Sequence, residues 1–351
     1  MTAALSRTRK RSSTVTVEDV AAHAGVSRQT VSNAVNTPER LKPKTLKKVL
    51  AAVEELGYRP NQAARALRTQ STRSIGCRTL PVDRRGTGGI LDRFLYALCD
   101  AARHAGYGVL CHAADSDDEE IVIFDELNRR NGVDGFVIAG TRFGDVRGDW
   151  LTTHDVPFVA FGRPWGRDPR SCSWVDIDGA SGVRSAVEHL HAQRHHRIGF
   201  LGWEPGNGVG EDRCNGWAAA AKDLGLPTRG LAVLGPDDVD SGAAAAARLL
   251  DTSRPPTALV CASDALAVGA MRTLEDRGMR PGPDVSVVGF DDSVGAQLVR
   301  PGLSTLHQPL EEAAEHLMTL LLKRLRGDHA VTNVLLDPTL VVRESSLGFH
   351  P

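Results

Sequence analysis

Val15-Thr16-Val17-Glu18-Asp19-Val20-Ala21-Ala22-His23-Ala24-Gly25-Val26-Ser27-Arg28-Gln29-Thr30-Val31-Ser32-Asn33-Ala34-Val35-Asn36 reads as two short helices joined by a turn. Val17, Val20, Ala21 and Ala24 recur at helical spacing and make one apolar face. Gly25 supplies the positive-φ position that ends the first helix, and Val26 can pack beneath the turn. Ser27 is a good N-cap for the second helix, whose Thr30, Val31, Ala34 and Val35 point back at the first. Arg28, Gln29, Ser32, Asn33 and Asn36 are left on the outer face, which carries no acid. Arg pairs bidentately with guanine, and Asn or Gln with adenine, so such a face is equipped to read base edges. An ordinary helical hairpin with a solvated face is the plainer alternative. The cap, the turn and the acid-free face together point to a helix-turn-helix that offers its second helix to the major groove.

Working outward, the 351-residue chain is long enough for two or three domains. Its 41% hydrophobic and 24% charged residues are ordinary for a soluble globular protein. No apolar run approaches the roughly 20 residues of a membrane span. A basic start (Arg7, Arg9, Lys10, Arg11) is not followed by an apolar h-region, so no signal peptide is expected and the cytoplasm is the expected compartment. The six cysteines, with no Cys-x-x-Cys pair, suggest reduced and mostly buried thiols. A net charge of −1 hides an asymmetry: residues 1–73 hold 14 basic and 5 acidic side chains, the remainder 28 and 38. A basic head on an acidic body fits a phosphate-binding module joined to a domain that avoids nucleic acid.

Residues 1–14 read as a flexible basic arm, either brushing phosphates or simply disordered. The head proper spans 15–60. Its 37–43 segment is a loop with two prolines, and a third helix over 44–56 closes the small core, with Gly57 as its stop. Segment 61–68 is Ala-rich and helix-prone but too short to be stable alone, so it would fold only against a partner or DNA. A polar linker follows, making 61–74 a hinge and linker. From Ile75 to about 346 the texture becomes an alternation of β-rich and helical runs. Strands are expected at 75–80, 108–112, 135–139, 157–161, 197–201, 258–262 and 285–289. Helices are expected at 91–104, 119–131, 180–191, 215–224, 243–250 and 266–277. The fold class is therefore α/β, with parallel sheets, right-handed crossovers and two doubly wound lobes. A ligand would sit between the carboxyl ends of their strands.

Three groups of residues carry a resemblance. The first is Val17-Glu18-Asp19-Val20-Ala21 with Ala24-Gly25-Val26-Ser27 and Thr30-Val31-Ser32. The second is Leu56-Gly57-Tyr58-Arg59-Pro60-Asn61-Gln62-Ala63-Ala64-Arg65. The third is Ser263-Asp264, Val285-Ser286-Val287-Val288-Gly289-Phe290-Asp291-Asp292 and Val342-Arg343-Glu344-Ser345. In this order they resemble the lactose-repressor/galactose-repressor family of bacterial transcription factors over about 15–345. The resemblance implies a three-helix DNA-binding head on a periplasmic-binding-protein-like effector domain. It also implies a homodimer, or dimer of dimers, on a pseudo-palindromic double-stranded operator. Ser27, Arg28, Gln29, Thr30, Ser32, Asn33 and Asn36 would then contact DNA, with Tyr58, Asn61 and Ala64. Leu67 would enter the minor groove as an apolar wedge on a hinge helix formed on DNA, or else remain an ordinary linker residue. Many relatives carry Arg where this chain has Asn33, so their operator preference does not transfer.

Effector contacts are expected from Arg163, Trp165, Trp174, Trp203, Arg213, Asp264, Asp291 and Gln308. Arg213 matches the family's effector-binding arginine and Asp264 its effector-binding aspartate, while Gln308 matches a ligand-lining position. Asp264 could instead only cap the helix it opens. The three tryptophans are placed in loops beside strand ends, where an indole can stack on a pyranose or merely anchor its loop. A mono- or oligosaccharide is the leading effector class, with a purine or nucleoside second. His189, His191, His195 and His196 lack the spacing of a tetrahedral metal site and read as solvated histidines at a helix end. Gly86-Thr87-Gly88-Gly89 lacks a following Gly-Lys-Ser/Thr, and Gly-x-Ser-x-Gly is absent. No metal, cofactor, membrane contact or enzymatic reaction is expected. A sugar-binding protein or enzyme without a DNA role would leave the basic head unexplained.

Overall fold

The computed structural model describes residues 15–58, 71–79 and 89–349. They fall into two compact units, Met1–Thr72 and Arg73–Pro351.

In the first unit, α1 (Val17–His23) is started by Thr16 in a reciprocal capping box with Asp19. Gly25 takes φ +54° at the turn. Ser27 then caps α2 (Arg28–Asn36), accepting from the Thr30 amide at 3.1 Å. The third helix, α3 (Pro43–Glu55), opens on a proline, whose missing N–H is no loss in a first turn. The expected loop before it contains a short 3₁₀ turn, Pro38–Arg40. Val20, Ala24, Val31, Ala34, Val49 and Ala52 meet in one small core, so the helices are held by the apolar stripes their spacing encodes.

The second unit holds two six-stranded sheets. The first lobe contains β1 (Ser74–Thr79), β2 (Gly108–Ala113), β3 (Gly135–Ala139), β4 (Phe158–Phe161), β5 (Trp174–Ile177) and β11 (Asn333–Leu336). They run parallel in the order β11-β5-β4-β3-β1-β2. The second lobe contains β6 (Ile198–Trp203), β7 (Ala232–Gly235), β8 (Ala258–Cys261), β9 (Ser286–Phe290), β10 (Ser304–His307) and β12 (Thr339–Val341). Its order is β12-β10-β9-β8-β6-β7, and only β12 is antiparallel. Strands such as β8 and β9 are buried along their whole length, as sheets covered on both faces require. The helices are α4 (Ile90–His104), α5 (Asp117–Arg129), α6 (Arg147–Thr153), α7 (Gly179–Ala192), α8 (Gly208–Asp223), α9 (Val239–Leu250), α10 (Asp264–Asp276), α11 (Val294–Leu298) and α12 (Leu310–Leu325).

The expected doubly wound α/β class is present, and the expected elements lie within a few residues of their places, except that α8 begins at Gly208 where 215 was expected. Strands β5, β7 and β10 to β12 and helices α6, α11 and α12 were not expected. After β10 the chain crosses back at Gln308–Pro309 to lay α12 in the first lobe's core, and then gives one more strand to each sheet. That exchange breaks the regular alternation. The spacing of Leu310, Ala313, Ala314 and Leu317 nevertheless carried a helical signal.

Candidate functional site

On the head, Arg28 and Gln29 are exposed, while Thr30, Ser32 and Asn33 are half-buried. Gln29 Nε2 donates to Asn33 Oδ1 at 2.9 Å, so the two amides form one unit along α2. The helix itself carries no acid, but Glu18 of α1 reaches Arg28 at 2.7 Å. The Arg28 guanidinium is thus oriented by a neighbouring helix, which sequence spacing alone does not show. Tyr58 packs against the head core. Asn61, Ala64 and Leu67 lie outside the described residues, as does the side chain of Asn36.

In the second unit the strand ends of both lobes face a cleft of about 390 Å³. The first lobe contributes Thr141, Phe161 and Asp176, and the second Trp203, Arg213 and Asp291. Among the described residues lining it, four carboxylates (Asp92, Asp176, Asp237, Asp291) face one cation, Arg213. The Arg213 guanidinium lies 3.6 Å from the Phe290 ring centroid and 5.0 Å from that of Trp203. Its Nη1 donates to the Ala262 carbonyl at 2.5 Å and stands 3.9 Å from Asp291. Buried Arg213 Nε, Trp203 Nε1 and Thr141 Oγ1 have no partner. Buried polar groups without partners carry an uncompensated desolvation cost.

Asp291 follows β9 with φ +116° and accepts from Gln308 Nε2 at 2.6 Å. Burial, and the nearby Asp264 and Asp237 carboxylates, push its carboxyl up to about 8 against the pull of Arg213. Burial also draws Arg213 below its ordinary value. Both shifts have one cause: at 3.9 Å, mutual attraction does not offset the loss of water around either group.

Two bridges join the lobes beside this cleft. Arg163, after β4, donates to Asp176 at 2.6 Å and to Asp212 of α8 at 3.0 Å. Arg93 of α4 donates to the carbonyls of Asp291 and Asp292 at 2.6 and 3.1 Å.

The structure places the expected contacts unevenly. Trp203, Arg213, Asp291 and Gln308 line the cleft. Asp264 does not: its carboxylate accepts from Thr305 Oγ1 at 2.5 Å and the Ser293 amide at 2.7 Å. Burial pushes it up to about 6, and the cap of α10 is Ser263. Asp264 therefore braces the loop after β9, on which Asp291 sits. Arg163 is occupied as an interlobe bridge. Trp165 stacks on Arg163 at 4.6 Å and fills the space that a side chain at Gly208 would need. Trp174 is not in a loop. It begins β5, is buried in the first lobe and donates to the Pro169 carbonyl at 2.9 Å. Nor is His195 solvated: it is fully buried between Thr257 and Ser286, at 2.9 and 3.0 Å. Of the cysteines only Cys77 and Cys261 are buried. Asp176, Asn207 and Asp237 were missed because β5, β7 and the first turns of α8 were missed.

The profile described as bacterial regulatory proteins, lacI family, matches residues 16–61, and that of the periplasmic binding protein-like domain matches 187–346. The HTH-type transcriptional regulator CelR of Thermobifida fusca is 32% identical over 336 residues, covering 94% of this chain and 98% of CelR. The chain belongs to the LacI family. It is a bacterial, sequence-specific DNA-binding transcriptional regulator. Among solved LacI-family structures, the lac repressor dimer bound to operator and the anti-inducer ONPF superposes with TM-score 0.81 at 28% identity, covering 95% of this chain and 99% of that one. The CelR–cellobiose complex superposes with TM-score 0.72 at 30% identity, covering 94% and 99%. Among the described residues no helix is long and apolar enough to cross a membrane.

Proposed function

We propose that this LacI-family regulator is a cytoplasmic repressor of sugar-utilisation genes, released from its operator by an uncharged sugar bound between the lobes. In this reading 15–60 reads DNA, 61–74 forms the hinge, and 75–346 binds effector and dimerises. The protein acts by binding and catalyses no reaction. One observation carries the effector class: four acidic side chains and one guanidinium with an unpaired Nε line the cleft. Even with Asp291 neutral, the acids outnumber the guanidinium, which disfavours phosphates and carboxylates and suits hydroxyl groups, which both donate to Asp and accept from Arg. The likeness to CelR, solved with cellobiose, agrees with it. Arg213, Asp291 and Gln308 are the proposed anchors, with Trp203 and Phe161 supplying apolar faces.

Exposed apolar side chains support a dimer: Tyr96 on α4 is 74% exposed, and Leu298 on α11 is 73% exposed. A second copy would cover them, and a two-fold dimer calls for a pseudo-palindromic operator.

The test selects an operator from random duplexes with the purified protein, then screens neutral sugars, sugar phosphates and nucleosides by thermal shift. Each hit is added to the operator complex. A neutral sugar that raises the melting temperature and releases DNA is expected. Stabilisation by sugar phosphates or nucleosides alone would overturn the reading.

A further inference from the structure

Beyond the cleft lies a second volume, about 380 Å³, open at its outer side. Its walls are Glu204, Pro205 and Gly206 after β6, Gly235 at the end of β7 with Pro236 after it, and Arg142 from the first lobe. Three residues belong to both volumes: Trp203, Asn207 and Asp237. The two spaces therefore adjoin, with these three residues forming the waist between them.

Asn207 and Asp237 are held in place by hydrogen bonds, and each keeps polar atoms with no bond recorded within the protein. Asn207 Oδ1 accepts from the Val209 and Gly210 amides at 3.1 and 3.2 Å, capping α8, which leaves its Nδ2 donors. Ser263 Oγ donates to Asp237 Oδ1, leaving Oδ2 as an acceptor. Trp203 brings an indole ring. The loop between Trp203 and Asn207 is itself ordered, since the Gly206 amide donates to Glu211 at 2.9 Å. Outside the waist, Glu204 is exposed and acidic, while Arg142 is tied to Asp117 at 2.6 Å. A ring, a donor and an acceptor at a waist between two chambers match a chain of linked, hydroxyl-bearing rings. A single sugar would fill the inner chamber and leave the outer groups to water.

We infer that the outer vestibule is a second sugar subsite, so the effector is a neutral oligosaccharide of at least two units. This rests on the sugar reading above and narrows it. Gly235 offers a clean block: a Cβ there meets open space, and its backbone is not in the left-handed region. Calorimetric titration of the full chain would use glucose, galactose and xylose beside cellobiose, maltose, lactose and xylobiose. At least one disaccharide should bind ten-fold or more tightly than its constituent monosaccharides. Gly235→Phe should erase that gain, leave any monosaccharide affinity unchanged and keep the wild-type melting temperature. Glu204→Ala should weaken the disaccharide several-fold and spare the monosaccharide. Equal binding of mono- and disaccharides, untouched by Gly235→Phe, would remove the subsite and leave the sugar reading standing. If no sugar in the panel bound, the sugar reading would fall, and the subsite with it.

Discussion

At the scale of single residues, the site depends on which acids have their oxygens taken up by the protein. Asp264 and Asp291 lie at comparable strand ends, and the sequence favours the first. In the structure Thr305 and Ser293 use up the Asp264 oxygens, while Asp291 faces the cavity. Burial gives Asp291 a measurable signature. Its carboxyl is raised to about 8 in the folded state and returns to about 4 on unfolding. A raised acid contributes stability that is complete below the unfolded value and is lost as pH rises through the folded one. His189 and His195 are both lowered by burial, so their opposing contribution lies below their ordinary value of 6.5. Between pH 6.5 and 8 the ligand-free protein should therefore lose stability with rising pH, by at most about 1.4 kcal/mol per unit. Asp291→Asn should flatten that slope. Urea titrations at four pH values across the window measure it, and an identical slope in the variant would count against a protonated Asp291.

At the scale of the element, α2 shows local and tertiary signals in agreement. Ser27, Gly25 and the apolar spacing produce the helix and its turn, and packing on Val20 and Val49 aims it. The paired amides of Gln29 and Asn33 leave one amide oxygen and one NH₂ for a base edge. Gln29→Ala should cost about 1–3 kcal/mol on the selected operator while sparing random DNA. Fluorescence anisotropy on both duplexes decides it, since equal losses would make Gln29 a backbone contact. Helix α8 behaves differently. Its first turn carries Gly208 and Gly210, poor helix formers that read as loop. Trp165 and Trp203 lie where side chains at those positions would go. Tertiary crowding thus explains glycines that local propensity counts against the helix.

At the scale of the whole molecule, the body is two lobes whose separation a ligand can sense. Arg93 spans them, bonding the carbonyls of Asp291 and Asp292. A ligand touching Phe161 and Asp176 on one side and Arg213 and Asp291 on the other binds best when the lobes stand as they do here. Arg93→Ala removes bonds that tie the lobes together as they stand here, so it should shift the lobes apart and weaken effector binding on the order of ten-fold. Small-angle scattering should show a larger radius of gyration for the ligand-free variant, which saturating effector restores. An unchanged affinity would mean that Arg163, with Asp176 and Asp212, holds the lobes unaided.

The head's three helices and the α/β class were legible because each rests on short-range signals: caps, turn glycines and the periods of helix and strand; Arg213 was placed only by the family resemblance. Which acid enters the cleft was not legible, because Thr305 and Ser293, distant in sequence from Asp264, decide it. The burial of His195 was hidden for the same reason: its partners, Thr257 and Ser286, are distant in sequence. Spacing along the chain determines which face of an element is apolar. Only packing determines which polar groups have their partners within the protein and which are left for a ligand.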